Sequence, residues 1–260
     1  MYLKSTLAVA ALALAAPMLA TPASAATPNA PDTPPGAHNI VIVHGAFSDG
    51  SGWRVVHDIL IHKGYNVRVV QETMTTLADD VDAVNSAIIG ADGPVVLVGK
   101  DYGGAVITAA GTRGKVRALV YVAGFEPDVG ESVTQLLDSM PKPTDDIHAT
   151  RDGHLYFDRA KFDADFAGDL VTNRSDFLAA SQALPTAAAF GGNSYASAWR
   201  DKPSYAVIAT DDLVVSPDLQ RWMAERAGSK ITPVKASHAI EITQPEAVAQ
   251  VIENAALNAK

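Results

Sequence analysis

Three kinds of residue are absent or scarce in this 260-residue sequence: cysteine is missing, only 7% of residues are aromatic, and 20 basic side chains face 29 acidic ones. The absence of cysteine excludes disulfide bonds and a cysteine nucleophile. A formal net charge of −9, with no Lys/Arg cluster, argues against nucleic acid as a partner. The seven histidines show no paired ligand spacing, so we predict no metal site and no cofactor.

The first 38 residues differ from the rest of the chain. Met1–Ala25 carries a single positive charge, an apolar stretch too short to cross a bilayer comfortably, and a small-x-small site at Ala23-Ser24-Ala25. These features are typical of a secretory signal peptide. Residues 26–38, rich in proline and small side chains, are predicted to be a disordered leader. We therefore expect a periplasmic or secreted protein that is free of the membrane after signal cleavage.

Residues 39–260 contain enough apolar material for one core, since 48% of the whole chain is hydrophobic. Apolar runs alternate with helical periodicity, which predicts an α/β domain with a mainly parallel sheet of about six strands flanked by helices. The segment of about 126–200 breaks this regularity with four prolines and is predicted to be a mostly helical cap. Thr243 and Glu246 have the spacing of a capping box for the last helix. The predicted strands are Asn39–Val43, Asn66–Val70, Val95–Val98, Val116–Val122, Ser204–Ala209 and Ile231–Val234.

The stretch from Pro94 to Gly111 joins a buried strand to a glycine-rich turn and a small-residue helix. This pattern is typical of a nucleophile elbow, which holds its central residue, here Asp101, at the carboxyl edge of the sheet. Two further polar stretches follow later strands, Asp211-Asp212 and Ser237-His238. Because parallel strands end at one edge of the sheet, we expect Asp101, Asp212 and His238 to meet there.

Four segments carry a resemblance to a known family: Val43–Trp53 (VHGAFSDGSGW), Val98–Gly104 (VGKDYGG), Ala209–Trp222 (ATDDLVVSPDLQRW) and Ser237–Glu246 (SHAIEITQPE). They resemble the α/β-hydrolase superfamily, within it the branch of plant methylesterases, hydroxynitrile lyases and bacterial esterases. The resemblance implies that Asp212 is the acid, His238 the base, and the backbone amides of Ala46 and Tyr102 the oxyanion hole.

Asp101 departs from that branch, which has serine at the elbow. A carboxylate can attack an alkyl carbon and form a covalent ester that water then hydrolyses, as in the related dehalogenases and epoxide hydrolases. Those branches usually carry His-Gly-x-Pro in the first loop, where this chain has Phe47 in place of proline, and haloalkane dehalogenases place tryptophan where Tyr102 stands. Lys100 occupies a position at which histidine is common. It would favour ionised Asp101 if it faces the site, and otherwise it points to solvent.

Three functional hypotheses follow. The chain is a hydrolase of a small organic substrate with Asp101 as nucleophile, a catalytically silent ligand-binding protein, or an esterase whose serine has been replaced by Asp101. For the acid, Asp211, Glu126 and Asp128 are alternatives to Asp212. A small-molecule substrate is the expected partner, and a homodimer is left open.

Other polar and aromatic residues near these motifs have simpler interpretations. Ser48 and Ser51 are better explained as turn residues than as nucleophiles, and His44 as a bridge between loop backbones. Phe47 and three cap residues are candidates to line the substrate pocket, although the cap residues fit an ordinary core equally well. The cap residues are Tyr156, Tyr195 and Trp199.

Overall fold

The computed structural model describes residues 33–259, so the predicted signal peptide and residues 26–32 lie outside the described part. The predicted leader ends too late. Ala37 is buried, and its N–H donates to the carbonyl oxygen of Ala256 at 3.0 Å, while the carbonyl of His38 accepts from the Asn66 N–H. Packed structure therefore begins at least two residues before the predicted first strand.

Six parallel strands form the main sheet in the order β2-β1-β3-β4-β7-β8, which confirms the predicted fold class. Two neighbouring interior strands, Asn39–Val43 and Val95–Lys100, are buried along their whole length. Side chains of the strand Val95–Lys100 alternate between the faces: Leu97 packs in one buried cluster with Val84, and Val98 packs in the other with Val248. Apolar residues on both faces are what a sheet covered by helices on each side requires. The strands are β1 (Asn39–Val43), β2 (Asn66–Val70), β3 (Val95–Lys100), β4 (Val116–Val122), β5 (Ile147–Ala149), β6 (Leu155–Phe157), β7 (Ser204–Ala209) and β8 (Lys230–Val234).

Ten helices accompany the strands within the described residues. Helix α8 has a Ser216 cap, Pro217 in its first turn and left-handed Gly228 after its last turn, which are the expected start and stop signals. The helices are α1 (Arg54–His62), α2 (Leu77–Ile89), α3 (Tyr102–Ala110), α4 (Val133–Asp138), α5 (Arg159–Asp165), α6 (Thr172–Ala180), α7 (Ala187–Gly191), α8 (Pro217–Ala227), α9 (Ile240–Thr243) and α10 (Pro245–Leu257).

The predicted capping box of the last helix is wrong. Thr243 is the final residue of α9, and α10 begins at Pro245 with Gln244 as its N-cap and no side-chain capping bond. The proline starts α10 without needing a capped N–H, because it has none.

The segment between β4 and β7 corresponds to the predicted cap. It contains α4 to α7, as expected for a mostly helical insertion, and an unpredicted antiparallel hairpin of β5 and β6. Phe162 and Phe166 stack at 4.4 Å between ring centroids, and Phe157 meets both rings edge-on. The core of the cap is thus aromatic. Within residues 33–259, no helix combines the length and apolar character that crossing a membrane requires.

Candidate active site

Asp101 sits in a strained turn between β3 and α3, with φ 48° and ψ −122°. Non-glycine residues rarely adopt positive φ, and such strain clusters at active sites. Glycines allow the surrounding chains to approach. A Cβ on Gly103 would lie 2.4 Å from the carbonyl oxygen of His44, and one on Gly45 would lie 2.8 Å from the Asp101 Cβ. The predicted elbow is therefore present with aspartate at its tip.

His238 and Asp212 meet at the same edge of the sheet. His238 Nδ1 lies 2.7 Å from Asp212 Oδ2, and both side chains are fully buried. Asp212 also accepts hydrogen bonds from the N–H groups of Val214 and Val215 and from the Gln220 side-chain amide. These bonds fix the carboxylate, which in turn orients the imidazole.

The three alternative acids do not contact His238. Asp211 is exposed. Glu126 accepts from the Ser229 hydroxyl, and Asp128 is paired with Arg200. Among these four carboxylates, only that of Asp212 lies within hydrogen-bond distance of His238.

The Asp101 carboxylate contacts one of the two backbone amides predicted to form the oxyanion hole, that of Ala46. The N–H of Ala46 donates to Asp101 Oδ2 at 2.8 Å. Asp101 Oδ1 has no hydrogen-bond partner in the part of the chain that the structure describes, and neither has His238 Nε2, which is buried. One carboxylate oxygen is thus held by the first loop and the other is available, and Asp101 and His238 are not directly bonded.

Tyr102 contributes its backbone and side chain in different directions. Its backbone supplies the first N–H of α3 beside Asp101. Its hydroxyl donates to Asp80 Oδ2 at 2.8 Å, behind the elbow, and its ring stacks on Phe190 at 5.6 Å between centroids. Burial and the neighbouring Asp80 charge raise the pKa of Tyr102, so the phenol stays protonated and donates.

His44 bridges loop backbones, as predicted. Its Nδ1 lies 2.9 Å from the Gly45 carbonyl oxygen, and its Nε2 lies 3.1 Å from the Glu72 N–H that donates to it. This pair of bonds fits the neutral imidazole protonated at Nδ1, and burial lowers the pKa of His44 in the same direction. His44 therefore holds the loop that carries Ala46.

The serine interpretation also agrees with the structure. The Ser51 hydroxyl donates to Asp49 in the first loop, and the Ser48 hydroxyl lies 3.4 Å from the carbonyl of Gly45, three residues earlier. Both are turn interactions.

Several buried charged groups surround these residues. Lys100 is fully buried, so its side chain does not point to solvent, and its Nζ lies 4.0 Å from Glu241 Oε2. Glu72 has two unpaired oxygens among the described residues, and burial, with the charges of Asp80 and Asp101, raises its pKa well above the usual range. Nothing in the local sequence pattern indicates that Glu72 and Glu241 are buried.

A cavity of about 300 Å³ lies within the cap, since ten of its eleven lining residues belong to the segment between β4 and β7, and neither Asp101 nor His238 is among them. Its wall includes Phe190 and Val214, and Phe190 links it to the elbow through the Tyr102 ring. The predicted pocket residue Phe47 is buried and packs edge-on against Phe157 and Phe190. The cavity is lined by Thr134, Leu137, Asp138, Lys142, Thr144, Asp145, Ile147, Leu155, Ala187, Phe190 and Val214.

The other three predicted pocket residues are not in this wall. Tyr156 lies on the outer face of the hairpin against His148, and Tyr195 is 60% exposed. Trp199 is buried, but its indole N–H donates to the Pro127 carbonyl at 2.9 Å. Sequence reasoning missed Phe190 because nothing in its local pattern distinguishes it from cap core.

One group of potential metal ligands occurs within residues 33–259. Atoms of Asp146, His148 and Asp158 lie within 4.8 Å of one another on the cap hairpin. The sequence could not indicate this cluster because the pairing of β5 with β6 creates it. Asp146 also accepts from Thr144, and Asp158 caps α5.

Comparison with known proteins agrees with this geometry. The model of the "Alpha/beta hydrolase family" matches residues 40–251. The chain belongs to the alpha/beta hydrolase family. The described fold, with a strained turn after β3 and a histidine–aspartate pair after β8 and β7, is the arrangement expected of a member of this family.

Individual relatives are hydrolases by name. The chain is 30% identical over 205 residues to an alpha/beta hydrolase of Aspergillus novofumigatus, covering 70% of this chain and 78% of the relative. It is 33% identical over 119 residues to a carbendazim hydrolyzing esterase of a Nocardioides species, covering 40% of this chain and 49% of the esterase. The crystal structure of a pyrethroid hydrolase superposes with a TM-score of 0.73 at 21% identity, covering 85% of this chain and 98% of that one.

Proposed function

We propose that this protein is a cofactor-free hydrolase of a small organic substrate, in which Asp101 is the nucleophile, His238 the base and Asp212 the orienting acid. The observation that carries the proposal is the position of the Asp101 carboxylate. Its Oδ2 accepts the Ala46 N–H while Oδ1 has no partner among the described residues. A carboxylate held in this way presents a free oxygen to a substrate carbon.

The reaction has two steps. Asp101 Oδ1 attacks a carbon that bears a leaving group, so a C–O bond forms and the leaving group departs with the bonding electrons. Water then loses a proton to His238 and attacks Cγ of the resulting ester, and the negative charge develops on Oδ2, where the Ala46 N–H already donates. Collapse of this intermediate releases an alcohol, which takes the proton from His238, and leaves the water oxygen in the Asp101 carboxyl group, whose remaining proton passes to solvent.

We propose that the cavity in the cap binds a small, largely apolar substrate. Its volume of about 300 Å³ is at the lower end for organic ligands. Leu137, Ile147, Leu155 and Phe190 line it, while Asp138 and Lys142, which form an ion pair, lie at its polar side. Phe190 lies in its wall and stacks on the Tyr102 ring next to Asp101, so we propose that the substrate reaches Asp101 past this side chain.

Isotope labelling tests the covalent mechanism. A candidate substrate is turned over in water enriched in the heavy oxygen isotope, and the Asp101 peptide is examined by mass spectrometry. We expect label in Asp101 of the parent chain. We expect the same label in Asp101 of the control variant Asp211→Asn, which changes the exposed residue next to Asp212. Active turnover without label in Asp101 would overturn the covalent step.

A silent binding protein is the second candidate, and the same contact favours it. Because Asp101 Oδ2 already accepts the Ala46 N–H, an ester carbonyl cannot use that donor. Asp101→Ser would free the donor and supply a hydroxyl for His238. If the scaffold is that of an esterase, this variant should cleave short-chain aryl esters that the original chain does not. An inert variant, beside tight ligand binding by the original chain, would favour the binding protein.

We also propose that the protein is exported, because of the composition of Met1–Ala25. Amino-terminal sequencing of the protein recovered from its native cells should begin at Ala26. A mature chain that begins at Met1 would contradict this proposal.

A further inference from the structure

Two buried side chains of opposite charge connect the chain segments that carry Asp101 and His238. Lys100 directly precedes Asp101 at the end of β3, and Glu241 lies in α9, three residues after His238. Lys100 is 0% exposed and Glu241 is 1% exposed. Their Nζ and Oε2 atoms are 4.0 Å apart, so the pair joins the two catalytic segments without belonging to the proposed reaction.

One aromatic ring, that of Phe166, connects the pair with the base. Lys100 Nζ is 5.2 Å from the centre of the Phe166 ring, and that ring meets the His238 imidazole edge-on at 4.8 Å. The backbone N–H of Ala239 donates to the Phe166 carbonyl at 3.1 Å, which holds the cap against the His238 loop. Lys100 and His238 therefore contact the same aromatic ring.

Fold stability alone does not account for this pair. Neither Lys100 Nζ nor Glu241 Oε2 has a hydrogen-bond partner among the described residues, so the cost of removing both charges from water is only partly offset. Two apolar side chains of similar volume would often pack as well or better at such a place. A role near the base explains why both charges are present.

We propose that Lys100 and Glu241 are positioning residues, which fix the end of β3 against α9 and balance each other's charge at His238. Other charged groups face the His238 loop from neighbouring elements. Asp212 is bonded to Nδ1, Asp101 lies at the elbow, and Asp169 binds Ser237. Without Lys100, the groups around the imidazole would all be acidic.

The charges of Lys100 and His238 act on the pKa of Glu241. Burial raises the pKa of Glu241, and the nearby charges of Lys100 and His238 oppose that effect. Removing one member of the pair should consequently change the electrostatic potential at the His238 ring. Removing both should restore the balance.

Nuclear magnetic resonance of the His238 ring in the full chain tests the proposal without any turnover, so its failure is distinguishable from failure of the proposed function. Lys100→Met leaves the Glu241 carboxylate without its cation and should move the midpoint of the ring titration upward. Glu241→Gln leaves the ammonium alone and should move the midpoint downward. The double variant Lys100→Met/Glu241→Gln should return it close to the parent value.

Unfolding in urea provides the second readout. Each single variant leaves an uncompensated buried charge and should raise the unfolding equilibrium constant roughly 100-fold or more, whereas Lys100→Met/Glu241→Met should recover most of this loss. Lys142→Met, which breaks the more exposed pair with Asp138, is the control and should change little. If Lys100→Met does not fold, Glu241→Gln and the doubly apolar variant still carry the test.

Two results would overturn the proposal. One is a His238 midpoint that stays at the parent value in both single variants. The other is a double variant whose midpoint departs from the parent value as far as those of the single variants, since paired charges that balance each other must compensate when removed together.

Discussion

Glu126 should make the stability of this protein fall as the pH rises. The side chain follows β4, is 1% exposed, and accepts a hydrogen bond from the Ser229 hydroxyl at 2.8 Å. Burial raises its pKa from 4.5 to about 8, although the Ser229 bond and the Arg226 charge oppose the shift. The folded protein therefore keeps Glu126 protonated at pH values where the unfolded chain has lost that proton.

The sign and the size of the effect follow from this difference. Between pH 4.5 and about 8 the folded state binds one more proton, so the free energy of unfolding decreases with increasing pH. The shift from 4.5 to about 8 is about 3.5 units, which corresponds at about 1.36 kcal/mol per unit to roughly 5 kcal/mol. Below that window both states hold the proton, and the contribution no longer changes with pH.

The variant Glu126→Gln keeps the shape of the protonated acid and cannot lose a proton. Urea unfolding measured from about pH 5 to about pH 9 should show similar stabilities at the acid end, with the variant more stable by up to roughly 5 kcal/mol at the alkaline end. Parallel pH profiles for parent and variant would refute the reasoning.

Glu131→Gln is the matched control, because Glu131 also contacts Arg226. Burial acts to raise the pKa of Glu131, but the hydrogen bonds from Arg226 and from the Asp128 N–H outweigh it and lower the pKa. This variant should lose stability at neutral pH, and the loss should shrink as the pH falls through the lowered pKa. The two variants thus change the pH profile in opposite ways.

Three further substitutions separate scaffold from chemistry. Tyr102→Phe removes the hydrogen bond to buried Asp80 and should cost roughly 1.5–3 kcal/mol in urea unfolding, with turnover retained because the backbone N–H remains; lost turnover in a fully folded variant would contradict the separation of its two roles. Gly103→Ala places a Cβ 2.4 Å from the His44 carbonyl oxygen and should lower the melting temperature by disrupting the elbow. The control Gly114→Ala, whose Cβ would meet no neighbouring atom within 4 Å, should leave the melting temperature unchanged. Equal melting temperatures for the two variants would count against the close approach at Gly103. Trp199→Phe loses the bond to the Pro127 carbonyl and should cost about 1 kcal/mol without a change in substrate affinity; a matched loss of affinity would place Trp199 in the pocket after all.

The proposed reaction and the positioning pair depend on charged groups at the same edge of the sheet. Asp101 adds a carboxylate to an edge of the sheet that already holds Asp212 and Glu241, and Lys100 is the buried cation beside them in the described chain. Labelling tests the chemistry of Asp101, and the ring titration tests the surrounding charges. The two experiments can succeed or fail independently.

The sequence by itself determined the parallel sheet and the strand ends at which Asp101, Asp212 and His238 lie. Short apolar runs in the sequence indicate the buried strands. Glycines mark the turn that presents Asp101, because only a residue without a side chain permits such close packing. The order of Asp101, Asp212 and His238 along parallel strands then required that they meet at one edge. These patterns are local, so they can be recognised in the sequence without knowledge of long-range contacts.

Only the tertiary structure decided which way each side chain of the site points. The Ala46 N–H, 55 residues away in the chain, fixes Asp101 Oδ2, and the burial of Lys100 depends on packing against Phe166 of the cap and Glu241 of α9. Rotamer choice and burial are set by neighbours that are distant in sequence. For this reason the position of Asp101 at the turn after β3 could be predicted from the sequence, whereas its hydrogen bond to the Ala46 N–H and the buried ion pair could not.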